Sequence, residues 1–318
     1  SPPILARRRA PTFHTASELE PVTRRVYKRI RTGVAGWSYD DWHGAVYPDP
    51  KPPGFDPLPY LARYLDLIEI NSTFYRPPRP EYAERWANRV GQHPGFRFTA
   101  KLWRRFTHER GEAWSRDEVR AVRTGLKPLR EHDRLDALLI QFPWSFKRND
   151  ASLEWLADLR AAFRDFPLVI EVRHASWNEP GFFEWLAAEG VGFVNIDQPL
   201  FSRSIPPSAR GTARTGYVRV HGRNYQDWFR KGAGRDARYN YLYSREELEG
   251  WVERAREVAR DDQVDTVEVV FNNHYRAQAV INALAFRSLL GDPHVVAPAT
   301  LAETFPDEIQ QYHIPVDH

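Results

Sequence analysis

Residues suited to acid/base chemistry stand where apolar segments of this chain end. Asp197 follows the apolar residues 192–196, and His221 follows residues 217–220. A carboxylate and an imidazole at neighbouring strand ends can pass protons to and from a ligand, so Asp197 and His221 are predicted to act as an acid/base pair. Glu171, at the end of a third apolar segment, is the remaining candidate for this catalytic role.

Cationic and amide side chains end other segments and suit the binding of an anion. Lys101, Arg173 and Arg219 carry positive charge. Residues 272–274 follow the last apolar segment and open a helix, whose N-terminus attracts anions. The predicted ligand-binding residues are Trp37, Asn71, Tyr75, Lys101, His108, Gln141, Arg173, His174, Trp177, Arg219, Asn272, Asn273 and His274.

The mixed charges also fit a second interpretation, in which they form buried ion pairs that fix the fold. Glu69 lies in the apolar segment 67–70, where an unpaired carboxylate is costly. Lys101, or groups beside Trp37 together with water, are predicted to keep it ionised. Glu69 is therefore predicted to be structural, and the same role is expected for some of the other charged residues.

Aromatic residues crowd the loops that follow the predicted strands. They are Trp37, Tyr39, Trp42, Tyr47, Phe74, Tyr75, Trp103, Phe142, Trp144 and Trp177. Such rings can cap the core, and they can also stack on a sugar or a nucleobase. The sequence leaves both uses open.

A metal site is a further alternative, formed by oxygen and imidazole ligands. Glu171, Asp197, His221 and His274 are side chains that Mn, Fe or Zn accept. No H-E-x-x-H spacing occurs, and the nearby cations disfavour a second positive centre. A metal-free site is therefore predicted, and the sequence requires no cofactor.

Eight short apolar segments are predicted to be strands, separated mostly by helices. The strands are residues 32–36, 67–71, 97–101, 137–141, 168–172, 192–196, 217–220 and 266–271. This alternation indicates a parallel sheet, and eight strands close a (β/α)8 barrel of about 250 residues. The open doubly wound alternative needs a glycine-rich loop after its first strand, and no G-x-G-x-x-G stands there.

The predicted fold class is therefore α/β, a single (β/α)8 TIM-like barrel. Residues 199–215 show no helical period, so an irregular connection is expected between strands six and seven. In such a barrel alternate strand residues point inward. Asn195 and Asp197 of strand six are expected to do so, with Glu69, Glu171 and Arg219 on other strands.

The chain is predicted to consist of a basic arm (1–30), the barrel (31–291) and a C-terminal tail (292–318). Residues 1–31 hold eight basic and two acidic residues, a net charge of +6, which leaves −3 for the rest of a chain of net charge +3. Such an arm can contact nucleic acid. A solvated arm without a partner is the alternative.

The amino-acid composition limits the cellular compartment and the cysteine chemistry that can be expected of the protein. The chain has no Cys, which excludes disulfides and cysteine nucleophiles, and fits a reducing compartment. No stretch approaches the roughly 18 apolar residues of a membrane span, and residues 1–31 lack the apolar core of a secretory signal. A cytoplasmic protein without membrane contact is predicted.

Several ordered motifs are similar to those of the YecE-like family, a domain of unknown function. They are Gly36-Trp37-Ser38-Tyr39, Glu69-Ile70-Asn71-Ser72-Thr73-Phe74-Tyr75, Thr107-His108, Gln141-Phe142-Pro143, Glu171-Val172-Arg173-His174, Arg219-Val220-His221-Gly222 and Asn272-Asn273-His274. The resemblance covers about residues 31–290 and implies a TIM-like barrel, but it brings no reaction. Trp144 and Ala277 depart from it, since the family often has proline and glycine there.

These patterns predict an enzyme, a hydrolase or a lyase, that acts on a small ligand by acid/base catalysis. The mixed polar strand ends beneath an aromatic rim favour a phosphorylated, sugar-like or nucleoside-like molecule. The alternative is a protein without catalysis that binds nucleic acid or a protein partner through the basic arm.

Overall fold

Eight parallel strands form a closed barrel, in which each strand pairs with the next along the chain and the last pairs with the first. The computed structural model describes residues 29–225 and 239–317. The barrel strands are β1 (Ile30–Ala35), β2 (Leu67–Ile70), β3 (Arg97–Lys101), β4 (Leu135–Gln141), β5 (Leu168–Glu171), β6 (Gly192–Asp197), β7 (Thr215–Val220) and β8 (Thr266–Phe271). The predicted (β/α)8 fold is confirmed.

Helices cover the outside of the barrel, and polar residues begin several of them. Within the barrel region they are α1 (Pro57–Leu61), α2 (Pro80–Arg89), α3 (Arg116–Glu131), α4 (Asp150–Ala162), α5 (Pro180–Ala188), α6 (Arg245–Arg260) and α7 (Gln278–Leu290). Ser244 and Glu247 form a capping box at the start of α6. Ser115 and Glu118 form a second one at the start of α3.

Backbone geometry shapes two of these helices. Helix α3 runs through Gly125 and Pro128, two residues that disfavour a helix interior. A Cβ atom on Gly125 would overlap the carbonyl oxygen of Pro78, so the missing side chain lets α3 pack closely on that loop. Helix α7 begins only at Gln278, because Arg276 and Ala277 have φ angles of 45° and 63°.

The strand register shows which residues point into the barrel. Ile196 of β6 pairs with Arg219 of β7, and Asn195 pairs with Val218. Since Arg219 is inside, Ile196 faces inward with it, and Asn195 and Asp197 face outward. The expectation that Asn195 and Asp197 point inward was wrong. Strands of a parallel barrel are buried on both faces, so the presence of a polar side chain does not say which face is the interior.

The centre of the barrel is polar rather than purely apolar. Glu69 accepts hydrogen bonds from Arg219 at 2.6 and 2.8 Å and from the Tyr217 hydroxyl at 3.0 Å. Glu69 and Arg219 are 0% and 1% exposed. The partner of Glu69 is thus Arg219, across the barrel on β7, and not Lys101 as predicted.

A second ion cluster fills the end of the barrel where the strands begin. One Nη atom of Arg31 lies 2.6 Å from Asp136 and 3.0 Å from Glu268. Glu268 is completely buried, and burial followed by the charge of Asp136 raises its pKa to about 8. One guanidinium is thus shared by two carboxylates, and burial raises the pKa of both, Asp136 as well as Glu268.

The connection between β6 and β7 is irregular, as predicted. Residues 198–214 contain neither a helix nor a barrel strand. The outward amide of Asn195 organises this segment: its oxygen accepts from Ser208 at 2.7 Å and from the Arg210 amide at 2.8 Å, and its nitrogen donates to the Arg210 carbonyl. A polar residue on the outer face of β6 thereby replaces the contacts that a helix would make.

The residues after the barrel fold back onto it. They form β9 (Ala297–Pro298), α8 (Ala299–Thr304), α9 (Pro306–Gln311) and β10 (Val316–Asp317). Asp317 accepts a hydrogen bond from Tyr64 at 2.9 Å, and Thr300 donates to the carbonyl of Val46 at 2.7 Å. At the other terminus, the side chain of Arg29 donates to the carbonyl of Asp265. None of the helices within the described residues is long and apolar enough to cross a membrane.

Candidate functional site

A cavity of about 610 Å³ lies at the mouth of the barrel, where the strands end. The lining residues come from the loops after strands β1 to β5 and β8, and from the residue that follows the undescribed segment. They are Gly36, Trp37, Ser38, Tyr39, Asn71, Ser72, Phe74, Tyr75, Lys101, Arg104, His108, Gln141, Arg173, Tyr239, Asn272 and His274. This is the end of the barrel at which ligands of this fold bind.

Short turns hold the first wall of the cavity. Gly36 has a φ angle of 80°, which favours glycine, and it turns the chain so that Trp37 reaches the cavity. The hydroxyl of Tyr39 donates to the Ala35 carbonyl at 2.6 Å, and that of Tyr47 donates to the Trp37 carbonyl at 2.6 Å. Both bonds fix the loop after β1 before any ligand binds.

The hydroxyl of Thr73 joins the second and third strand ends. It lies 2.9 Å from the Ile70 carbonyl and 2.7 Å from the Lys101 carbonyl. Thr73 is part of a single helical turn, Ser72–Phe74. The turn brings the Phe74 ring to 4.3 Å from the ammonium of Lys101. The segment after β2 thus contacts Lys101 twice, at its carbonyl through Thr73 and at its ammonium through Phe74.

Three cationic side chains line the cavity, and two of them are paired with carboxylates. Arg173 lies 2.8 Å from Glu171, and Arg104 lies 2.8 Å from Glu109. Within the described residues Lys101 has no carboxylate inside ion-pairing distance. Burial, followed by the charge of Arg219, lowers the pKa of Lys101 to about 7. A substantial fraction of this amine is therefore neutral near pH 7.

Glu171 lies directly beneath the cavity as the centre of an ion network. Arg219 and Arg173 each approach it to 2.8 Å, and Gln141 donates to it at 3.2 Å. Burial alone would raise the pKa of Glu171, but its neighbours, Arg219 above all, hold that pKa well below its ordinary range. Glu171 is thus a fixed anion that orients two residues of the cavity wall, Gln141 and Arg173.

His221 is completely buried beside Glu171 and is neutral. Burial lowers the pKa of His221 to about 3, with further lowering by Arg173 and Arg219. The Nδ2 atom of Asn272 lies 3.1 Å from Nδ1 of His221, and Nε2 of His221 lies 3.2 Å from Glu171. Nε2 also lies 3.3 Å from an Nη atom of Arg219 and 3.4 Å from one of Arg173, so it faces both guanidinium groups as well as Glu171. His221 thereby links Asn272, at the cavity wall, to the ion network.

A second neutral imidazole, that of His108, stands in the cavity wall itself. Burial lowers its pKa to about 4, and the neighbouring charges of Lys101 and Arg173 act in the same direction. The Thr107 hydroxyl lies 2.8 Å from its Nδ1, and its ring packs edge-on against Phe74. His108 can therefore accept or donate a hydrogen bond to a ligand without adding charge at neutral pH.

Aromatic rings form another part of the cavity wall. The imidazole of His274 stacks on Tyr39 with ring centres 4.4 Å apart and an angle of 8° between the planes. Tyr239 packs on the same imidazole at 4.7 Å, and Trp37 stands nearby in the lining. Such a wall offers flat apolar faces together with polar edges, which suits a sugar or a nucleoside.

Nine of the predicted site residues line the cavity. They are Trp37, Asn71, Tyr75, Lys101, His108, Gln141, Arg173, Asn272 and His274. Glu171, His221 and Arg219 lie in the ion network beneath them. Arg219, predicted to hold an anion, is instead committed to Glu69 and Glu171. The structure thus gathers the ends of strands one to five and eight around one space, with strand seven below it.

Asp197 lies apart from this cluster, on the outer face of β6. Its carboxylate accepts two hydrogen bonds from Arg223, at 2.9 and 3.0 Å, and one from the Tyr243 hydroxyl at 2.5 Å. Arg223 also contacts Glu247 of α6 at 3.0 Å. The side chain of Asp197 therefore ties the loop after β7 to the helix layer, and it faces away from the imidazole of His221.

Three further predicted ligand-binding residues do not line the cavity. The indole of Trp177 is buried and donates to the Phe146 carbonyl at 2.8 Å. His174 packs against Trp144 and accepts the Ser176 amide at 3.1 Å. Asn273 is buried and donates to Tyr241 and Asn282. These side chains support loops around the cavity.

The sequence reasoning missed Arg104 and Tyr239. Arg104 stands three residues after Lys101, on the single turn Arg104–Phe106, so its spacing from the strand end was the available signal. Tyr239 lies far along the chain from the end of β7 at Val220, so closeness to a described strand end gave no signal for it.

No metal-binding group of three or more His, Asp or Glu side chains occurs in residues 29–225 and 239–317. Of the four candidate ligands, Glu171 and His221 are close together, whereas Asp197 is bonded to Arg223 and His274 stacks on Tyr39.

Comparison with known proteins gives consistent matches. The model of the family described as "Protein of unknown function DUF72" matches residues 31–306. UPF0759 protein YunF of Bacillus subtilis is 31% identical over 277 residues, which are 82% of this chain and 94% of that protein. UPF0759 protein YecE of Escherichia coli strain K12 is 25% identical over 64% of this chain and 66% of that protein.

Solved structures agree in fold. A crystal structure of a DUF72 family protein from Thermotoga maritima has 32% identity and a TM-score of 0.69, covering 83% of this chain and 99% of that one. A DUF72 family protein from Enterococcus faecalis has 25% identity and a TM-score of 0.71, covering 82% and 95%.

Proposed function

Since the chain belongs to DUF72, a family described only as proteins of unknown function, we propose its function from the cavity: it is an enzyme that binds a small anionic, sugar-like or nucleoside-like molecule at the barrel mouth. The reaction is that of a hydrolase or a lyase, driven by proton transfer without a metal. The anion is a phosphate or a carboxylate of the ligand.

The observation that supports this proposal is the charge of the cavity wall. Three cations, Lys101, Arg104 and Arg173, line it, and none of the lining residues that the structure describes is a carboxylate. The acids that pair with the two arginines, Glu171 and Glu109, are not part of the lining, and Glu171 is 0% exposed. Positive charge in a partly enclosed cavity favours an anionic ligand.

The neutral part of the ligand is assigned to the aromatic wall. The His274 ring stacks on Tyr39 and contacts Tyr239 at a tilt, and the amides of Asn71 and Asn272 line the same cavity. Rings bind the apolar face of a sugar or base, and the amides can pair with its hydroxyl or ring nitrogen atoms.

Proton transfer is assigned to groups that can change or share a proton near neutral pH. Lys101, with a pKa of about 7, is the best suited base in the wall. His108 is neutral and can orient a ligand hydroxyl. Asp197, whose carboxylate is bonded to Arg223 on the outer face of β6, is assigned a structural role in this proposal.

A thermal-shift screen with matched ligand pairs tests the proposal. The pairs are ribose 5-phosphate with ribose, AMP with adenosine, and glycerol 3-phosphate with glycerol. A ligand at a hundred times its Kd adds about 2.7 kcal/mol of stability, so at least one phosphorylated member should raise the Tm by several degrees while its partner does not. Equal responses within every pair would refute the proposal.

Two variants sharpen the screen. Lys101→Met removes a cation from the cavity wall, and Lys127→Met removes an exposed one from α3, where it pairs with Glu131. Loss of the ligand response in Lys101→Met alone supports binding in the cavity. The same loss in both variants would assign the response to surface charge.

A second candidate function is the binding of nucleic acid by the basic arm. Its basis is the net charge of +6 in residues 1–31, since residues 1–28 lie outside the described structure. This binding would weaken steeply as the salt concentration is raised. Binding in the cavity would instead depend on whether the small ligand carries an anionic group.

A further inference from the structure

We infer that the amine of Lys101 is a nucleophile that forms a Schiff base with an aldehyde or ketone whose other end carries an anionic group. The inference rests on the proposed function for the site and names its substrate class. The features that carry it are the placement of Lys101 at the floor of the cavity, its lack of an ion pair within the described residues, and the two arginines in the same wall.

Lys101 is placed to reach the carbonyl carbon of a bound ligand. It is the last residue of β3, and its register partner Leu139 lies on β4, two residues before the inward Gln141. Its side chain therefore points into the barrel mouth and contributes to the cavity lining. The Phe74 ring, 4.3 Å from Nζ, limits the directions in which the amine can move.

The surroundings of Lys101 favour a neutral amine, which is the nucleophilic form. Desolvation acts first and the adjacent Arg219 second, and together they exceed the opposing effect of Glu69 and Glu171, which are already bonded to arginine. With a pKa of about 7, roughly half of the amine is neutral at pH 7, against about three in ten thousand for an ordinary lysine.

The arginines explain why the carbonyl compound should also be an anion. Arg104 and Arg173 lie in the same cavity wall as Lys101. A guanidinium is suited to pair with a phosphate or carboxylate through two parallel hydrogen bonds, and it stays charged at any relevant pH. The charged end of the ligand is thus held by arginine, which leaves Lys101 available for the carbonyl.

The covalent step balances without any further reactant. The lone pair of Nζ forms a bond to the carbonyl carbon, and the electron pair of the C=O π bond moves to oxygen. A proton passes from nitrogen to that oxygen and gives a carbinolamine. The nitrogen lone pair then forms a C=N bond while the hydroxyl group leaves with a second proton as water.

The resulting imine, when protonated, withdraws electrons from the neighbouring carbon. It therefore favours the breaking of an adjacent C–H or C–C bond, whose electron pair it accepts. This chemistry belongs to lyases and to carbonyl isomerisations, and it needs no metal. Within the proposed pair of reaction types, the geometry of Lys101 points to the lyase.

Reductive trapping tests the inference. The protein is mixed with glyceraldehyde 3-phosphate, reduced with sodium borohydride and digested, and the modified lysines are counted by mass spectrometry. The chain has six lysines, so each site can be followed. We expect modification of Lys101 at least tenfold above that of the exposed Lys127, with half-maximal trapping near the pKa of Lys101. Equal modification of both lysines, or none at Lys101, overturns the inference.

Two comparisons separate this inference from the proposed function. Glycerol 3-phosphate has the anion but no carbonyl group, so it should protect Lys101 from trapping and should raise the Tm. If it raises the Tm while glyceraldehyde 3-phosphate leaves no adduct on Lys101, the anion site stands and the Schiff base is refuted. If neither compound raises the Tm and Lys101 is not trapped, both are refuted.

Discussion

Lys101 is a single residue whose burial opposes the stability of this barrel. An amine with a pKa of about 7 is protonated less readily in the folded protein than in the unfolded chain, where the value is 10.5. A lowered folded pKa means that folding opposes protonation, so below about pH 10 this side chain destabilises the fold. Residues held in this way often belong to a functional site.

Replacing Lys101 with Met should therefore stabilise the protein while removing ligand binding. The substituted side chain fits beside Phe74 and needs no solvation. We expect the free energy of unfolding at pH 7 to rise by about 1 kcal/mol or more, because one pKa unit corresponds to about 1.4 kcal/mol. Urea denaturation measures it, and a marked loss of stability would contradict this account of Lys101.

Glu69 is the opposite case, a charged residue that stabilises through its partner. Arg219 holds both of its oxygen atoms, and both side chains are buried. Glu69→Ala leaves the guanidinium partly unpaired inside the barrel and should cost about 3–5 kcal/mol. The control, Glu253→Ala, removes a surface carboxylate that pairs with Arg256 and should change stability by less than about 0.5 kcal/mol. Equal urea midpoints for the two variants would show that the buried pair contributes little.

Glu268 predicts a pH dependence with a definite sign. Its folded pKa of about 8 lies above its ordinary value of 4.5, so its contribution to stability is complete below pH 4.5 and is lost as the pH rises to about 8. The variant Glu268→Gln lacks this titration. We expect the stability difference, variant minus wild type, to increase between pH 5 and 8 in urea titrations. A difference that stays level over this range would mean that Glu268 is ionised throughout.

At the scale of elements, strand and helix positions were the most predictable feature. Strands β3 and β8 have the predicted bounds, and their residues 98–100 and 267–271 are buried, as expected for strands covered on both faces. The same double burial explains the error at β6. Neither Asn195 nor Asp197 reveals from sequence that its partners are Arg210 and Tyr243, in segments outside the strand.

Helix α3 gives a prediction about packing between elements. A glycine inside a helix usually costs about 0.5–1 kcal/mol relative to alanine, yet the position of Gly125 leaves no room for a Cβ beside Pro78. Gly125→Ala should therefore destabilise the protein, by about 1–3 kcal/mol.

The matched control for this prediction is Gly250→Ala in α6. A Cβ there meets only the flexible end of Arg254, at 3.4 Å. This substitution should stabilise the protein by about 0.5–1 kcal/mol. The two changes are chemically identical and have opposite expected signs, so thermal melts that shift in the same direction would contradict the close contact at Gly125.

At the scale of the whole molecule, the number of barrel strands and the end of the barrel that holds the cavity were predictable from the sequence. Which residues line the cavity was predictable only in part. Nine predicted residues line the cavity because strand ends of a barrel converge whatever their side chains are. Arg219 was expected in the wall and lies below it, because depth along the barrel axis depends on strand stagger. The sequence alone does not specify that stagger.

The arm and the barrel are expected to act independently. A chain that begins at residue 29 keeps Arg29, whose side chain bonds to the start of β8, and keeps every described residue of the cavity. It should retain the Tm and the response to phosphorylated ligands. Binding to single-stranded DNA at low salt, measured by fluorescence anisotropy, should be lost with the arm. Unchanged DNA binding by the shortened chain would show that the arm is not the segment that binds DNA.

The shared position of Arg173 has a consequence for how any anion binds here. Its guanidinium lines the cavity and also contacts Glu171, which is bonded in turn to Arg219. An incoming anion competes with Glu171 for the same donors, so binding is an exchange of counter-ions rather than the addition of one. Part of the binding free energy is therefore needed to rearrange the ion pairs of the barrel interior. The buried network thus influences how tightly an anion binds.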